Sequence, residues 1–495
     1  MLEKILGILQ PEKSFDLVRR DMEIAGRPCT LLFVDGMIKD EVMEKMLEYF
    51  LKLDHSVWDQ TPDMQSFSRR IIPYVEVADE DQLDAACTAI LSGNLGLFIQ
   101  GFSSCALIDI RTYPARSVEE PEKDKVLRGS RDGFVETVVF NTALIRRRIR
   151  DPKLTMSILS AGESSHTDIV VCYMEDRADL ELVQRVKERI GHIKVQGLTM
   201  SQESLAEALI SSKWRNPFPK TRYTERPDTA AAALLEGRII ILVDNSPSAM
   251  ILPSGIFDFF READDYYFPP ITGTYLRITR IVIFLLTLFL TPLWLLLVEH
   301  PQWIPPWLSF IGVSKPNGVP LLAQLLVLEF AVDGLRMAST NTPSIMSNSL
   351  SIIGALLLGD FAVQSGWFVP ETILYAAFTA IANYAQPSLE LGFAFKFIRL
   401  GLLILTGCFG LWGFAGGILL SLILLCSTRT LSGKSYLYPL IPFNARDFKR
   451  TFVRRKLENH LTEDAQKSAY DKIFRTKSGK NLFRLLYPCM QQKTV

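Results

Sequence analysis

The sequence "IVIFLLTLFLTPLWLLLV" at residues 281–298 is an apolar run without a single charged side chain. About 20 predominantly apolar residues in a helix cross the hydrocarbon layer of a bilayer, so a run of this length favours a membrane-spanning helix. Arg277 and Arg280 stand directly before it. Because basic residues collect on the cytoplasmic side of membrane helices, we expect the preceding part of the chain to be cytoplasmic.

Further apolar segments follow the first one, and together they predict a membrane domain over residues 277–430. We expect five or six membrane segments in all. The candidates after the first are 321–339, 345–368, 372–388, 390–410 and 411–428. The glycine-rich stretch "GCFGLWGFAGG" at 407–417 is suited to the turn of a final helical hairpin.

The C-terminal residues 431–495 form a basic tail. From residue 442 to the end the sequence has thirteen Lys or Arg against five Asp or Glu. The positive-inside tendency therefore predicts a cytoplasmic tail. An even number of crossings would place both ends of the chain on that side.

The chain before residue 277 has the composition of a soluble protein, with charged residues between short apolar runs. Strand patterns alternate with helical ones; "TLLFVDG" at 30–36 and "TDIVVCYMED" at 167–176 are examples of the strands. This alternation predicts two small cytoplasmic α/β subdomains, at residues 1–112 and, with a solvated connector, at 113–276. The predicted fold class is α/β plus membrane α, with a multi-helix transmembrane domain and the basic cytoplasmic tail after the two subdomains.

The sequence lacks the motifs of catalysis and cofactor binding. Its five histidines stand apart from one another and its seven cysteines include no CxxC pair, so neither a metal site nor a disulfide scaffold is expected. It has no GxxxxGK[ST] motif and no GxGxxG after a strand, which leaves nucleotide cofactors without support. We therefore expect a protein that is not an enzyme, uses no cofactor and binds no nucleic acid.

A polar stripe runs along one predicted membrane segment. It consists of Glu329, Asp333, Arg336 and Thr340, with Leu325 and Leu326 continuing the same face. The spacing puts these residues on one side of a helix. Because charge inside a membrane is costly and generally faces a cavity or an ion path, we interpret the stripe as pore-lining. The alternative is that both acids pair with Arg336 within the helix, near its cytoplasmic end.

Two further groups of residues stand out in the predicted membrane domain. The other intramembrane polar residues are Asp360, Asn383, Gln386, Lys396 and Arg399. Asp360 is a candidate partner for Lys396 or Arg399. Small residues at four-residue spacing, which let helices pack closely, are Ser347, Ser351, Ala355 and Gly359.

The stretch "RGSRDGFVETVVFNTALIRRRIRD" at 128–151 is rich in arginine. Its second part predicts a helix over about 134–150 that ends before Asp151-Pro152, and a cationic last turn suits the helix dipole. The arginines in question are Arg128, Arg131, Arg146, Arg147, Arg148 and Arg150. One interpretation is a capped helix with surface ion pairs. The other is a contact with anionic lipid headgroups or with a neighbouring subunit, through acids such as Glu119, Glu120 and Asp132.

Long stretches of the chain carry a family resemblance. Besides 128–151 they are "NPFPKTRYTERPDTAAAALLEGRIIILVDNSPSAMILP" at 216–253, "DDYYFPPITGTYLR" at 264–277 and "ASTNTPSIMSNSLSIIGALLLGDFAVQSGWF" at 338–368. They resemble the GerA/SpoVAF family of spore germination membrane proteins over nearly the whole chain. Within that family, "RGSRDGF" at 128–134 is nearer to the stage V sporulation branch, and "STNTPS" at 339–344 departs from the nutrient-receptor A subunits.

The resemblance implies a ring-shaped homo-oligomeric channel, pentameric in this family, in the inner membrane of the bacterial spore. Such a channel would release ions from the spore core and, with a small membrane partner protein, amplify the signal of the germinant receptors. Two alternatives remain open. One is a nutrient-sensing receptor A subunit that acts as a ligand-gated ion channel, and the other is a secondary transporter.

Overall fold

The computed structural model describes two compact units of the chain. The described residues are 1–112, 129–210, 216–315, 317–341 and 360–454. The first unit contains Met1–Ser211 and Thr221–Pro253, and the second contains Ser212–Lys220 and Ser254–Arg454.

The first unit begins with a five-stranded sheet. Its strands are β1 (Leu17–Ile24), β2 (Arg27–Val34), β3 (Val77–Glu80), β4 (Leu95–Ile99) and β5 (Cys105–Ile108). They pair antiparallel in the order β1-β2-β4-β5-β3. The helices around them are α1 (Leu2–Leu9), α2 (Asp40–Leu51), α3 (Val57–Gln60), α4 (Met64–Arg70) and α5 (Leu83–Leu91).

Apolar cores lie on both faces of this sheet. Because successive side chains of a strand point to opposite faces, neighbouring residues of β2 enter different cores. Leu31 packs with Phe50 of α2 on one face. Leu32 packs with Ile5 of α1 and Ile90 of α5 on the other. Helices on both faces explain why strand β4 is buried along its whole length.

A second sheet repeats the topology of the first. After α6 (Val138–Arg148) come β6 (Leu154–Ala161), β7 (Thr167–Met174), α7 (Leu180–Gly191), α8 (Ser201–Leu209), β8 (Arg222–Thr224), α9 (Pro227–Leu235), β9 (Ile239–Val243) and β10 (Ala249–Leu252). The strands pair antiparallel in the order β6-β7-β9-β10-β8, which is the order of the first sheet shifted by five strands. No internal repeat is evident in the sequence, so this duplicated arrangement is visible only in the fold.

The second unit is helical. Its helices are α10 (Asp264–Tyr267), α11 (Pro270–Glu299), α12 (Leu321–Asn341), α13 (Asp360–Gln364), α14 (Pro370–Tyr384), α15 (Leu389–Ser427) and α16 (Ala445–Phe452), with 3-10 turns at Ile256–Phe260, Pro301–Trp303 and Pro306–Ile311. In the described part of the chain, α11 and α15 are long and apolar enough to cross a membrane.

Helix α15 is a hairpin of two arms, residues 389–409 and 411–427. Gly410 breaks the helix with φ 55° and ψ −133°. A Cβ on Gly417 would lie 2.7 Å from Cδ2 of Leu402, although fifteen intervening rises of a straight helix would separate them by about 22 Å. The chain therefore folds back on itself at Gly410, which confirms the hairpin turn predicted at 407–417.

Side-chain contacts set the direction of the long helices. Near the end of α11, Trp294 packs with Leu325 early in α12 and with Leu403 late in the first arm of α15. Nearer the start of α11, the ring of Phe284 lies 4.1 Å from that of Phe395 in the same arm. Helix α11 and the first arm therefore run parallel. Helix α12 runs opposite to them, because Leu325 packs with Leu403, whereas Glu329, further along α12, contacts the earlier Arg399.

Candidate functional site

A cluster of four ionisable side chains lies between α12 and the first arm of α15. Helix α12 contributes Glu329 and Asp333, and the arm contributes Lys396 and Arg399. Glu329, Lys396 and Arg399 are buried, and Asp333 is about one-third exposed. Two acids and two bases make the cluster neutral when all four are ionised. This neutrality is what allows charges to persist among apolar helices.

The geometry of the cluster is that of a forked ion pair with a bridge. Arg399 donates from Nε to Oε1 and from Nη2 to Oε2 of Glu329, both at 2.8 Å. Lys396 Nζ lies 3.4 Å from Oε2 of Glu329 and 2.5 Å from Oδ2 of Asp333, so it bridges the two carboxylates. The remaining Nη1 of Arg399 donates to the carbonyl oxygen of Thr287 in α11 at 3.0 Å. The cluster thus joins three helices.

This arrangement corrects the expectation that the acids pair with Arg336 within α12. The guanidinium of Arg336 lies over the rings of Phe393, at 4.8 Å, and Tyr384, at 5.4 Å. Such cation–π contacts hold an arginine without a carboxylate. The acids reach across to α15 instead, because Lys396 and Arg399 present two donors at the same depth.

A small cavity lined by both polar and apolar side chains adjoins the cluster. It has a volume of about 20 Å³, room for about one water molecule. Its lining includes Asp333, Arg336, Asn383, Lys396 and Arg399. A cavity of this size and polarity suits a water molecule or a small ion better than an organic ligand.

Two amides of the predicted polar set lie close together beside this cavity, and one of them, Asn383, contributes to its lining. A Cβ on Gly392 would stand 3.0 Å from Oδ1 of Asn383 and 3.6 Å from Oε1 of Gln386. Among the described residues, neither oxygen has a hydrogen-bond partner, and the same holds for Nε2 of the buried Gln386. Buried amides without partners are rare, which marks this end of the helices as a place where polar occupants are favoured.

The remaining predicted residues fall into two groups. The leucines of the stripe pack inside the second unit, and the other residues have side chains outside the described part of the chain. Leu325 is buried against Trp294 and Leu403, and Leu326 is half-buried. With Glu329 turned to Arg399, this face of α12 contacts the helices of its own chain. The side chains of Thr340 and Asp360 lie outside the described residues, as do Ser347, Ser351, Ala355 and Gly359.

Arg146 has a role that the sequence does not reveal. Its side chain is completely buried, and so is Asp16, whose Oδ2 accepts from Nε of Arg146 at 2.7 Å. The guanidinium also donates to the carbonyl oxygens of Asp151 and Leu154, at 3.2 and 3.0 Å. The prediction that Arg146 contacts a neighbouring subunit is wrong in this fold, because the pair joins the start of the first subdomain to the second.

The other arginines of that stretch are closer to the surface. Nη2 of Arg148 donates to Oδ2 of Asp132 at 2.5 Å, so this pair forms within the chain. Burial raises the pKa of Asp132, but hydrogen bonds from Arg148 and Ser130 outweigh it and hold that pKa below its ordinary value. The exposed arginines are Arg131, Arg147 and Arg150. Arg128, Glu119 and Glu120 lie outside the described residues.

A third ionic cluster lies at the start of α11. Asp265 is completely buried and accepts from Nε of Arg277 at 3.2 Å and from Nη1 of Arg280 at 2.9 Å. Nη2 of Arg280 lies 2.6 Å from Oε2 of Glu262. From the sequence, both arginines were interpreted only as basic residues that precede the apolar run, and no partner was predicted for them. The acids twelve to eighteen residues upstream were the only signal of this pairing.

The described residues contain no group of three or more His, Cys, Asp or Glu side chains that could hold a metal ion. The four thiols of the first unit, at Cys29, Cys87, Cys105 and Cys172, are buried and free. Burial raises the pKa of each of them.

Comparison with known proteins links the chain to spore germination. The family model described as "Bacillus/Clostridium GerA spore germination protein" matches residues 3–465. "Stage V sporulation protein AF" of Bacillus subtilis (strain 168) is 37% identical over 441 residues, 89% of each chain. "Spore germination protein KA" of the same organism is 29% identical over 447 residues, 89% of this chain and 81% of that one.

One solved structure is also similar, the "N-terminal domain of the A subunit of the Bacillus megaterium spore germinant receptor GerK3". It is 24% identical and has a TM-score of 0.39, with 50% of this chain and 92% of that chain covered. The family match, which spans nearly the whole chain, confirms the resemblance predicted from the sequence. The chain belongs to the GerA family of spore germination proteins.

Proposed function

We propose that this chain is the membrane subunit of a spore germination ion channel, which releases ions from the spore core and amplifies the germination signal. Family membership and the similarity to stage V sporulation protein AF support a role in germination. The apolar helices α11 and α15 support a place in a membrane. On this proposal the protein is a conductor of ions and not an enzyme.

The observation that carries the proposal is the buried ionic cluster of Glu329, Asp333, Lys396 and Arg399. A chain that only needed to anchor itself in a bilayer would fill these positions with apolar residues, because charge at that depth is costly. Ionisable residues between membrane helices generally mark an ion path or a gate. The cluster ties α12 to α15, so breaking it would weaken the contact between these two helices.

We place six crossings in this proposal, with both chain ends on the cytoplasmic side of the inner spore membrane. Five passes correspond to α11, α12, α14 and the two arms of α15. Gln324 and Leu328 of α12 contact Thr372 and Ala376 of α14, so these two helices run parallel and need a crossing between them. The sixth, at 345–368, falls mostly outside the described residues. The basic tail at 431–495 supports a cytoplasmic C-terminus.

The proposed assembly is a homo-oligomeric ring, a pentamer, that acts with a small membrane partner and the germinant receptors. Its support within the chain is an apolar stripe on α12. Val327, Phe330 and Met337 are exposed on a side of α12 turned away from Glu329. In a ring, this face would contact another copy of the chain or line the central path.

Ion flux through the purified protein in liposomes tests the proposal. We expect wild-type protein, alone or with a candidate small partner, to conduct ions, and Glu329→Ala or Asp333→Ala to change the rate or the selectivity. The matched control is Glu390→Ala, an exposed acid at the start of α15. Folded, oligomeric protein that passes no ions under any of these conditions would contradict the proposal.

The alternative of a receptor A subunit draws on the similarity to spore germination protein KA. The unpartnered amides of Asn383 and Gln386 are where such a subunit would hold a polar molecule. Calorimetric titration of the purified protein with small nutrients distinguishes the two functions. Saturable binding that Gln386→Leu abolishes would favour the receptor.

A further inference from the structure

The residues that follow α15 form an ordered surface beside the start of α11. We call residues 434–454 the juxtamembrane segment. Its Tyr436 is completely buried in an apolar cluster with Phe395 and Phe284. Near its end, the carbonyl oxygen of Thr451 accepts from Nη1 of Arg277 at 3.0 Å. The segment is therefore attached to the helices at two points.

Between these attachment points the segment exposes large apolar side chains. Tyr438 is 39% exposed, Leu440 42%, Ile441 47% and Phe443 66%. Four such side chains within six residues form a contiguous apolar patch, which soluble surfaces generally avoid. The second arm of α15, which precedes the segment in the chain, exposes the apolar side chains Leu419, Leu420 and Ile423 as well.

Basic side chains border this patch. Lys434 precedes it, and Arg446 and Lys449 of α16 follow it, all three exposed. The one acidic residue between 434 and 454 is Asp447, whose Oδ2 accepts from Nδ2 of Asn444 at 3.0 Å and also from the hydroxyl of Tyr438. The segment is therefore apolar at its centre and cationic at its ends. Elements of this kind lie in the headgroup layer of anionic membranes.

We propose that the juxtamembrane segment docks on anionic phospholipid headgroups, with Phe443 and Ile441 at the acyl boundary and Arg446 and Lys449 on the phosphates. The position supports this occupant over a protein, because the segment follows the apolar second arm along the chain and contacts Arg277 near the start of α11. The inference rests on the membrane placement of the proposed function and adds the lipid class that this surface recognises.

Photocrosslinking of the full-length protein tests the docking surface. p-Benzoylphenylalanine would replace Phe443, and the protein would be reconstituted in vesicles of equal parts phosphatidylglycerol and phosphatidylcholine. Mass spectrometry after irradiation identifies the adduct. We expect phospholipid adducts with a preference for phosphatidylglycerol that falls about fivefold for each of Arg446→Gln and Lys449→Gln. The charge-matched control, Lys45→Gln in the first unit, should leave the preference unchanged.

The same probe at Leu293, an exposed position inside α11, separates failure of this inference from failure of the membrane placement. Lipid adducts at Leu293 but none at Phe443 would overturn the inference alone. A crosslink from Phe443 to a second copy of the chain would also overturn it, as would lipid adducts without preference for the anionic lipid. Absence of lipid adducts at both positions would overturn the inference and the membrane placement together.

Discussion

Arg399 and Glu329 form a forked ion pair between two helices of the second unit, with Nε to Oε1 and Nη2 to Oε2 both at 2.8 Å. The planar guanidinium matches the two carboxylate oxygens, which makes this kind of pair directional as well as strong. Because Arg399 also donates to the carbonyl oxygen of Thr287, the pair fixes α12, α15 and α11 at one depth.

Removing one partner of this pair should strongly destabilise the second, helical unit. Arg399→Met leaves the buried carboxylate of Glu329 with Lys396 alone, and loss of one partner of a buried pair costs about 3–5 kcal/mol. We expect the apparent melting temperature of the detergent-solubilised protein to fall by about 6 °C or more. Size-exclusion chromatography after heating measures the fraction that remains folded.

Two control variants sharpen this prediction. Glu329→Gln with Arg399→Gln keeps the site neutral, so the double variant should recover part of the loss. Glu390→Gln changes an exposed acid on the same helix and should alter the free energy of unfolding by less than about 0.5 kcal/mol. Equal melting temperatures for Arg399→Met and the wild type would show that the pair is not formed.

The buried pair of Arg146 and Asp16 predicts a second large loss of stability, in the first unit, which contains both sheets. Arg146→Met should cost about 3–5 kcal/mol, because Asp16 would remain buried without its partner. Limited proteolysis of the full-length protein reports the stability of this unit. Arg150→Met, which removes an exposed arginine two residues beyond α6, is the control and should leave the proteolysis rate unchanged. Equal cleavage rates for both variants would contradict the role of Arg146.

The exposed arginines of the same stretch test the proposed ring. Arg147→Ala with Arg150→Ala should loosen the oligomer without unfolding the subunit, since both side chains lie at the surface. Native mass spectrometry at raised salt measures the assembly, because screening weakens the remaining charged contacts. An intact oligomer under these conditions would remove these arginines from the interface.

The sequence was sufficient for the parts of the fold that depend on local pattern. An uncharged apolar run as long as 281–298 favours a helix whose apolar surface is covered, and α11 contains it. Local spacing also identified Glu329 and Asp333, because residues four apart in a helix lie on the same face. The turn at Gly410 was also predictable from the run of glycines around it.

Pairings between residues far apart in the chain could not be predicted from the sequence. Arg399 lies 70 residues from Glu329, and Arg146 lies 130 residues from Asp16. A cationic last turn is usually solvated, so nothing local distinguishes the buried Arg146 from the exposed Arg147. The duplicated sheet topology was hidden for a related reason, since a strand order depends on which strands pair and not on which residues they contain.

The hairpin of α15 predicts different effects for two glycines. Gly417→Leu would drive a side chain into Leu402 of the facing arm, and overpacking of this kind costs about 1–3 kcal/mol. Gly401→Leu is the matched control, because nothing lies within 4 Å of its Cβ position. The melting temperature in detergent should fall for the first variant alone. Equal values for both would contradict the hairpin.

The buried thiols of the α/β unit predict a loss of stability in alkali. Burial raises the pKa of Cys29 and Cys87 to about 11 and that of Cys105 to about 12. The unfolded thiols ionise first, near pH 8.5, so the folded state holds more protons above that pH and its free energy of unfolding falls as pH rises towards 12. Limited proteolysis of the full-length protein at pH 7.5, 9.5 and 10.5 should show faster cleavage of this unit with rising pH. Cys105→Ala removes one of the titrating groups and should flatten that dependence, whereas Cys426→Ala, in the second arm of α15, should not. An unchanged pH dependence in Cys105→Ala would contradict the assignment of the alkaline loss to this thiol.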